Sequence, residues 1–317
     1  MKVLVVCSYR NYVINGVAPF ISEQVDAIIN NGVECDYFLV TGKGVWGYLH
    51  NYRKLKEKIY DYKPDIIHAH FGLCGLLANL QRKIPVITTY HGSDINKIGV
   101  YLFSIWSMLL SRWNIIVSHR QERRVICKKK YSLIPCGINM ELFRPLDRME
   151  CRKRMRFDTN IQYVLFSKMF TDPVKNYPLA KASIDRLNMH SQKSGKKTTL
   201  LEFTGYSRED AVILLNAVDA VILTSHSEGS PQFIKEAMAC CTPIVSVDVG
   251  DVKKTIGNTR GCYIVESDAD KIANALAKAV SFGTTKGRER IIQLGYSNDL
   301  IAQRVIEIYN KVLNNNE

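Results

Sequence analysis

Strand-like apolar runs alternate with helical segments along almost the whole chain, and that rhythm admits few architectures. "KVLVVCS" leads through a glycine-containing loop into "APFISEQVDAIINNG", whose Pro19 suits an early helical position. "VECDYFLV", "DIIHAHF" and "PVITTYHGSD" read as strands, with the helical "YLHNYRKLKEKIYDY" and "GLCGLLANLQRK" between them. "YLFSIWSMLLSR", "NIIVS", "QERRVICKK" and "YSLIPCG" keep the same order. Such an alternation predicts a parallel sheet with helices on both faces. "INMELFRPLDRMECRKRMRFD" interrupts it with Pro145, mixed charge and few apolar residues, and marks a boundary. The rhythm restarts at "IQYVLFSK" and runs through "TTLLEFTG", "REDAVILLNAV", "DAVILTS" and "CYIVE". The expected fold is α/β: two tandem doubly wound domains, 1–147 and 148–297, with an interdomain cleft at their strand ends. An amphipathic last helix, 298–317, follows.

Composition narrows the classes. A chain of 317 residues is about twice a typical domain, and 46% hydrophobic content argues against disorder. Nine cysteines, an odd number without a Cys-x-x-Cys pair, suit reduced thiols in a cytoplasmic protein better than a disulfide frame or zinc site. "MKVLVVCS" is too short for a signal peptide, and "VYLFSIWSMLLS" (100–111) falls well below the roughly 20 residues that span a bilayer. That segment is read as a core-facing helix, with a place on a bilayer surface as the alternative. The net charge of +13 is uneven: residues 1–145 hold 19 Lys+Arg against 10 Asp+Glu. A basic half suits an anionic membrane surface, a nucleic acid or simple solubility. No recognition helix or aromatic RNA motif supports nucleic-acid binding. No glycine fingerprint supports a nicotinamide dehydrogenase.

In doubly wound sheets, ligands bind beyond the carboxyl ends of the strands, so the polar groups there carry the argument. "SEGSPQFIKEAMACCTPIVS" (227–246) sets Glu228 before a helix and Glu236 on its second turn. Ser230-Pro231 reads as the helix start, with serine as the cap. A helix N-terminus flanked by two carboxylates suits a phosphate with hydroxyls on both sides, the layout of a nucleotide-sugar. Equally, Glu228 could be solvated and Glu236 paired with a nearby lysine. Lys175 stands between a strand and a helix, where an ammonium could join a diphosphate; Lys168 lies seven residues earlier. Asn15-Gly16 would let backbone approach a phosphate or simply turn. His91, past a strand end beside Gly92, Ser93 and Asp94, is placed to bond a ligand hydroxyl. His68 and His70 share a strand face, as a metal pair or, the favoured reading, as cleft or core contacts. Asp268-Ala-Asp270 reads as a helix cap.

With these residues in place, the chain resembles the retaining GT-B glycosyltransferases of family 4, the glycosyl transferases group 1. Residues 227–246 are similar to the family's E-x7-E signature, "LIPCGINMELFRP" to its interdomain segment, and "TTYHGSD" to its histidine loop. The resemblance implies two Rossmann-like domains and sugar transfer from a UDP- or GDP-sugar, without a metal or other cofactor. The expected acceptor is a growing surface glycan or lipid-linked molecule, met in the cytoplasm or peripherally at the inner face of the membrane. The alternative is a soluble enzyme making a small glycoside.

Carried over by position, Glu236 holds the nucleotide ribose. Glu228, Gly229 and Ser230, with Pro231, Gln232 and Phe233, line the donor site. Lys175 and Lys168 neutralise the diphosphate, and Gly16 lies against it. His91 bonds the donor sugar, and Asn15 and Asp94 lie on the acceptor side. Met169 replaces the family's usual arginine, and Cys241 its usual glycine.

Overall fold

The computed structural model describes residues 1–9, 15–42, 44–96, 98–190 and 196–314, and the chain divides into two compact units. The first unit comprises Met1–Gly137 with Tyr296–Glu317. It runs β1 (Lys2–Ser8), α1 (Pro19–Asn30), β2 (Glu34–Val40), α2 (Gly44–Leu49), α3 (Tyr52–Tyr62), β3 (Ile66–His70) and α4 (Gly72–Asn79). It continues through β4 (Val86–Tyr90), α5 (Ser93–Asn96), α6 (Ile98–Leu110), β5 (Trp113–Ile116) and β6 (Tyr131–Leu133).

The second unit, Ile138–Gly295, runs α7 (Arg148–Arg154), β7 (Ile161–Phe166), α8 (Tyr177–His190), β8 (Lys197–Glu202), α9 (Arg208–Ala217) and β9 (Ala220–Leu223). Then come α10 (Gln232–Ala239), β10 (Ile244–Val247), α11 (Val252–Ile256), β11 (Cys262–Val265), α12 (Ala269–Val280) and α13 (Gly287–Leu294). Helix α14 (Asn298–Asn314) belongs to the first unit.

Both sheets are parallel, in keeping with their largely apolar strands, which are covered on both faces. The first has strand order β2-β1-β3-β4-β5-β6 and the second β11-β10-β9-β7-β8. Each order reverses once, between β1 and β3 and between β7 and β9, and these reversals are where such sheets open a crevice for ligand.

The division between the units falls at Gly137/Ile138, ten residues before the boundary read from composition. The intervening segment is anchored within the second unit. Phe143 is fully buried, Arg288 donates to the carbonyls of Phe143 and Met140 at 2.7 Å each, and Leu146 N–H donates to Asn216 at 2.8 Å.

Helix α14 buries Ile301, Ala302, Val305, Tyr309 and Val312, a single face, in the core of the first unit beside Val3, Val5 and Ile28. Each large apolar side chain so buried contributes roughly 1.5–3 kcal/mol.

Helix α6 departs from expectation. Ile98, Leu102, Trp106 and Leu109 point to solvent, while Ser104, Ser107 and Met108 are buried. The cause is α4, whose Gly72 and Gly75 lie so close that a Cβ on either would collide with Ser104 or Ser107. Only small side chains fit this seam, so the bulky ones face outward. "QERRVICKK" likewise forms a 3-10 turn, His119–Arg124, in place of a helix.

Candidate active site

In the second unit the loops after β7 and β9 emerge at the order reversal and are bonded to each other. Thr224 donates its hydroxyl to the carbonyls of Lys175 (2.9 Å) and Asn176 (3.1 Å), and His226 N–H donates to Val174 O at 2.9 Å. This zipper brings Lys175 against Glu228, with Nζ to Oε1 at 2.6 Å and both side chains largely buried. Two groups that are 53 residues apart in sequence thus form one ion pair.

Helix α10 begins at Gln232 with Pro231 as its N-cap, and that cap residue makes no side-chain hydrogen bond. Ser230 is therefore not the expected cap. Its hydroxyl donates to Asp251 Oδ2 at 2.5 Å and accepts from Lys235 Nζ at 2.6 Å. Lys235 is fully buried and reaches back from the helix to its own entry loop. Burial pushes the Asp251 carboxyl above its ordinary range, and the Lys235 charge partly offsets that. Gly250, with φ +56°, closes the loop after β10 onto the same segment; a Cβ there would sit 2.5 Å from Gly229 O. The bend at Glu228–Ser230 is thus held by a buried lysine, a buried aspartate and a close backbone contact.

Glu236 is buried on α10, and Arg208 at the start of α9 donates to its Oε1 at 2.7 Å. The guanidinium also lies 4.5 Å from the Phe143 ring centroid. Sequence alone does not point to Arg208, because nothing local ties it to a residue 28 positions away. Its one signal is Ser207, whose side chain accepts from Asp210 N–H and so places an arginine on the first turn. Of the other expected donor residues, Gln232 opens α10, and Phe233 is buried with its ring 5.3 Å from that of Phe203. Lys168 pairs with Asp172 at 3.0 Å, and the Asp172 carbonyl accepts from Lys175 N–H at 3.1 Å. A cavity of about 890 Å³ opens beyond β9, β10 and β11, lined by Ser225, His226, Asp248, Lys253 and Tyr263 among others; none of the sequence-derived site residues lines it.

In the first unit, Asn15 is exposed in a turn and Gly16 is buried with φ +69°, its Cα against the Tyr9 ring. His91, just past β4, stacks on His70 with ring centroids 5.2 Å apart. Its Nε2 lies 3.0 Å from His70 Nδ1, and its Nδ1 lies 3.6 Å from Cys136 Sγ. His68 continues the row: Nδ1 meets Tyr309 Oη at 2.7 Å and Nε2 meets Thr89 Oγ1 at 2.8 Å. Burial pushes the His68 imidazole down to about 3, and burial with its two histidine neighbours takes His70 well below its ordinary value. Both are neutral near pH 7, which suits the core reading. Among the described residues no group of three or more His, Cys, Asp or Glu converges as a metal site. Asp268 caps α12, accepting from Asp270 and Lys271 N–H, as read from sequence.

Asp94 is buried within α5, and its carboxylate accepts from the backbone N–H groups of Gly72, His91 and Gly92 at 2.9–3.1 Å. It holds the His91 loop to the start of α4. Burial lifts its carboxyl to about 6, against the pull of those N–H donors.

Comparisons with known proteins follow the same division. Residues 14–142 match the model described as Glycosyltransferase Family 4, and residues 182–297 that described as Glycosyl transferases group 1. The chain is 26% identical over 275 residues to the glycosyltransferase TuaC of Bacillus subtilis (strain 168), named for teichuronic acid biosynthesis, covering 76% of this chain and 69% of that protein. It is 21% identical over 268 residues to an Escherichia coli UDP-Gal:alpha-D-GlcNAc-diphosphoundecaprenol alpha-1,3-galactosyltransferase, covering 72% and 68%. Among solved structures, sucrose-phosphate synthase from Thermosynechococcus elongatus superposes with TM-score 0.80 at 18% identity, over 98% of this chain and 99% of that one. Anabaena Alr3699/HepE in complex with UDP-glucose gives 0.71 at 14% identity, over 97% and 99%. At these identities the structural likeness establishes the fold.

Proposed function

We propose, since the chain belongs to the glycosyl transferases group 1, that it moves a sugar from a UDP- or GDP-sugar to a hydroxyl of a growing surface glycan or lipid-linked acceptor, with retention at the anomeric carbon. The observation that carries the donor side is the arrangement around α10. A helix start with proline as its N-cap lies between two carboxylates, each already held by a cation, Lys175 for Glu228 and Arg208 for Glu236.

The N-terminal end of α10 and the Lys175 ammonium take the diphosphate, and Glu236, oriented by Arg208, accepts from the ribose hydroxyls. Breaking the anomeric C–O bond sends its electron pair to the diphosphate, where Lys175 and the helix N–H groups stabilise the charge. The acceptor oxygen bonds to the anomeric carbon on the same face, and its proton passes to the departing diphosphate oxygen. The positive charge the leaving group needs is supplied by these groups, so no resident metal enters the scheme. The acceptor class is favoured by the names of the Bacillus subtilis and Escherichia coli relatives, and such an acceptor is met at the inner face of a membrane.

A thermal-shift screen of nucleotide-sugars tests the donor site. Ligand at a hundred times its Kd stabilises the folded protein by about 2.7 kcal/mol. The expected outcome is stabilisation by a UDP- or GDP-sugar and loss of most of it in Glu236→Ala. If no nucleotide-sugar raises the melting temperature of the wild type, the donor site is misassigned.

A further inference from the structure

The outward face of α6 has no explanation in the fold or in sugar transfer. Ile98 is 74% exposed, Leu102 57%, Trp106 60% and Leu109 51%. Their spacing of four, four and three residues places them on one stripe of the helix. The opposite face buries hydroxyls: Ser104 donates to Asp94 O at 2.8 Å, and Ser107 accepts from Tyr90 Oη at 3.1 Å. This is a helix with its polarity inverted relative to water, and contiguous exposed apolar surface of this kind marks an interaction site.

What surrounds the stripe selects the partner. Between residues 98 and 130 the sequence carries seven Lys or Arg and a single acid, Glu122. Most of these cations lie in the segment after β5, and three contacts fasten that segment along α6. Tyr101 Oη donates to Arg124 O at 2.8 Å, the Arg124 guanidinium lies 5.1 Å from the Tyr101 ring, and Cys127 Sγ reaches Met108 O at 3.5 Å. Arg123, Lys128, Lys129 and Lys130 are exposed there, with Ile126 exposed among them. Asn79 of α4 bonds Ser111 just past the end of α6 at 2.9 Å, and Arg82 and Lys83 are exposed in the turn that follows α4.

We infer that α6 is a membrane-docking helix: Ile98, Leu102, Trp106 and Leu109 enter the interface of an anionic bilayer, and the Arg123 and Lys128–Lys130 segment binds its lipid phosphates. Apolar insertion and headgroup attraction reinforce each other in such a surface. A second copy of the chain is a poorer occupant, because a face-to-face pair would bring the same seven cations into opposition. No helix among the described residues is long and apolar enough to cross a membrane, so the attachment is peripheral. The inference deepens the lipid-linked reading of the acceptor but does not depend on the donor site.

The test is co-sedimentation of the full chain, without donor, with vesicles of phosphatidylcholine alone and of phosphatidylcholine with equimolar phosphatidylglycerol, at low and high salt. The wild type is expected to bind the anionic vesicles and to lose that binding in high salt. Leu102→Ser with Trp106→Ser is expected to weaken it at least about tenfold, as is Lys128→Glu with Lys130→Glu. Both double variants alter exposed side chains, and both are expected to keep the wild-type melting temperature and nucleotide-sugar shift. Absence of wild-type binding, or equal binding by the serine variant, overturns the inference. So does self-association of the wild type that the serine variant abolishes while vesicles are ignored. A missing nucleotide-sugar shift with vesicle binding intact refutes the donor site alone.

Discussion

At the carboxyl edge of the second sheet buried acids are paired with buried or half-buried cations, whereas at that of the first three histidines stack beside Asp94, whose carboxylate is held by backbone N–H groups. Lys175 meets Glu228, Arg208 meets Glu236, and Lys235 meets Ser230 and Asp251. In the first unit His68, His70 and His91 form a row ending on Tyr309 and Cys136. The contrast fits a division of labour. A site for a diphosphate must hold cations in place before the anion arrives, and carboxylates do that by Coulomb attraction at short range. A site for uncharged hydroxyls gains from donors and acceptors without net charge, whose orientation is set by neighbours.

The largest expected effect tests the charged side of this contrast. Replacing Lys235 by Met leaves Asp251 buried without its lysine, and breaking a buried pair costs roughly 3–5 kcal/mol. Protonation of Asp251, whose carboxyl is already raised, places the expected loss near the lower figure, about 3 kcal/mol. Chemical denaturation of the second unit's transition measures it. A loss below about 1 kcal/mol would show that the buried charges are incidental to the α10 entry loop.

The alternation of strands and helices, the parallel sheets and the position of the Glu228–Glu236 segment could be read from sequence because each depends on local pattern. Fully buried strands are continuous apolar runs, and a helix start follows its strand within a few residues. The pairings could not be read, since Glu228 finds Lys175 and Glu236 finds Arg208 only through the fold. Helix α6 misled for a different reason. It is apolar nearly all round, so its own periodicity does not say which face is buried; Gly72 and Gly75 of α4 decide that. Ser230 departs from expectation because a serine before Pro-x-x is a good cap by local rules, yet Lys235 and Asp251 compete for its hydroxyl.

Acid separates the units in sign. The His68 imidazole titrates near 3 in the fold and near 6.5 when free, so the unfolded chain takes the proton first and stability falls as pH drops below 6.5. At pH 5 this costs the first unit about 2 kcal/mol relative to pH 7, and His70 acts in the same direction. Asp94 opposes them: with its carboxyl raised to about 6, the folded state takes the proton first and regains about 1 kcal/mol by pH 5. In the second unit Asp251 is raised as well, so acid stabilises there. Amide exchange at pH 7 and pH 5 is expected to show β3 and β4 losing protection by at least about 1 kcal/mol net, with β9 and β10 unchanged or gaining. Parallel losses in both units would contradict the neutral-histidine account of the first.

The smallest effect concerns how each unit makes a left-handed turn. Both units place glycines and other residues at positive φ; Gly16 is one such position in the first, at +69°, and Cys241 one in the second, at +60°, where the resembling family has glycine. A non-glycine residue in that region costs roughly 1–2 kcal/mol of backbone strain. Cys241→Gly relieves it but loses a buried thiol and raises the entropy of the unfolded chain by about 0.5–1 kcal/mol. The balance favours the glycine variant by a few tenths of a kcal/mol, about the size seen when strain relief competes with chain entropy. The sign is the informative result, because Thr285 N–H donates to Cys241 O at 2.9 Å and so fixes the turn whichever residue occupies it. Destabilisation by Cys241→Gly in a denaturant titration would mean that the thiol's packing outweighs the backbone, making this cysteine a part of the second unit's core.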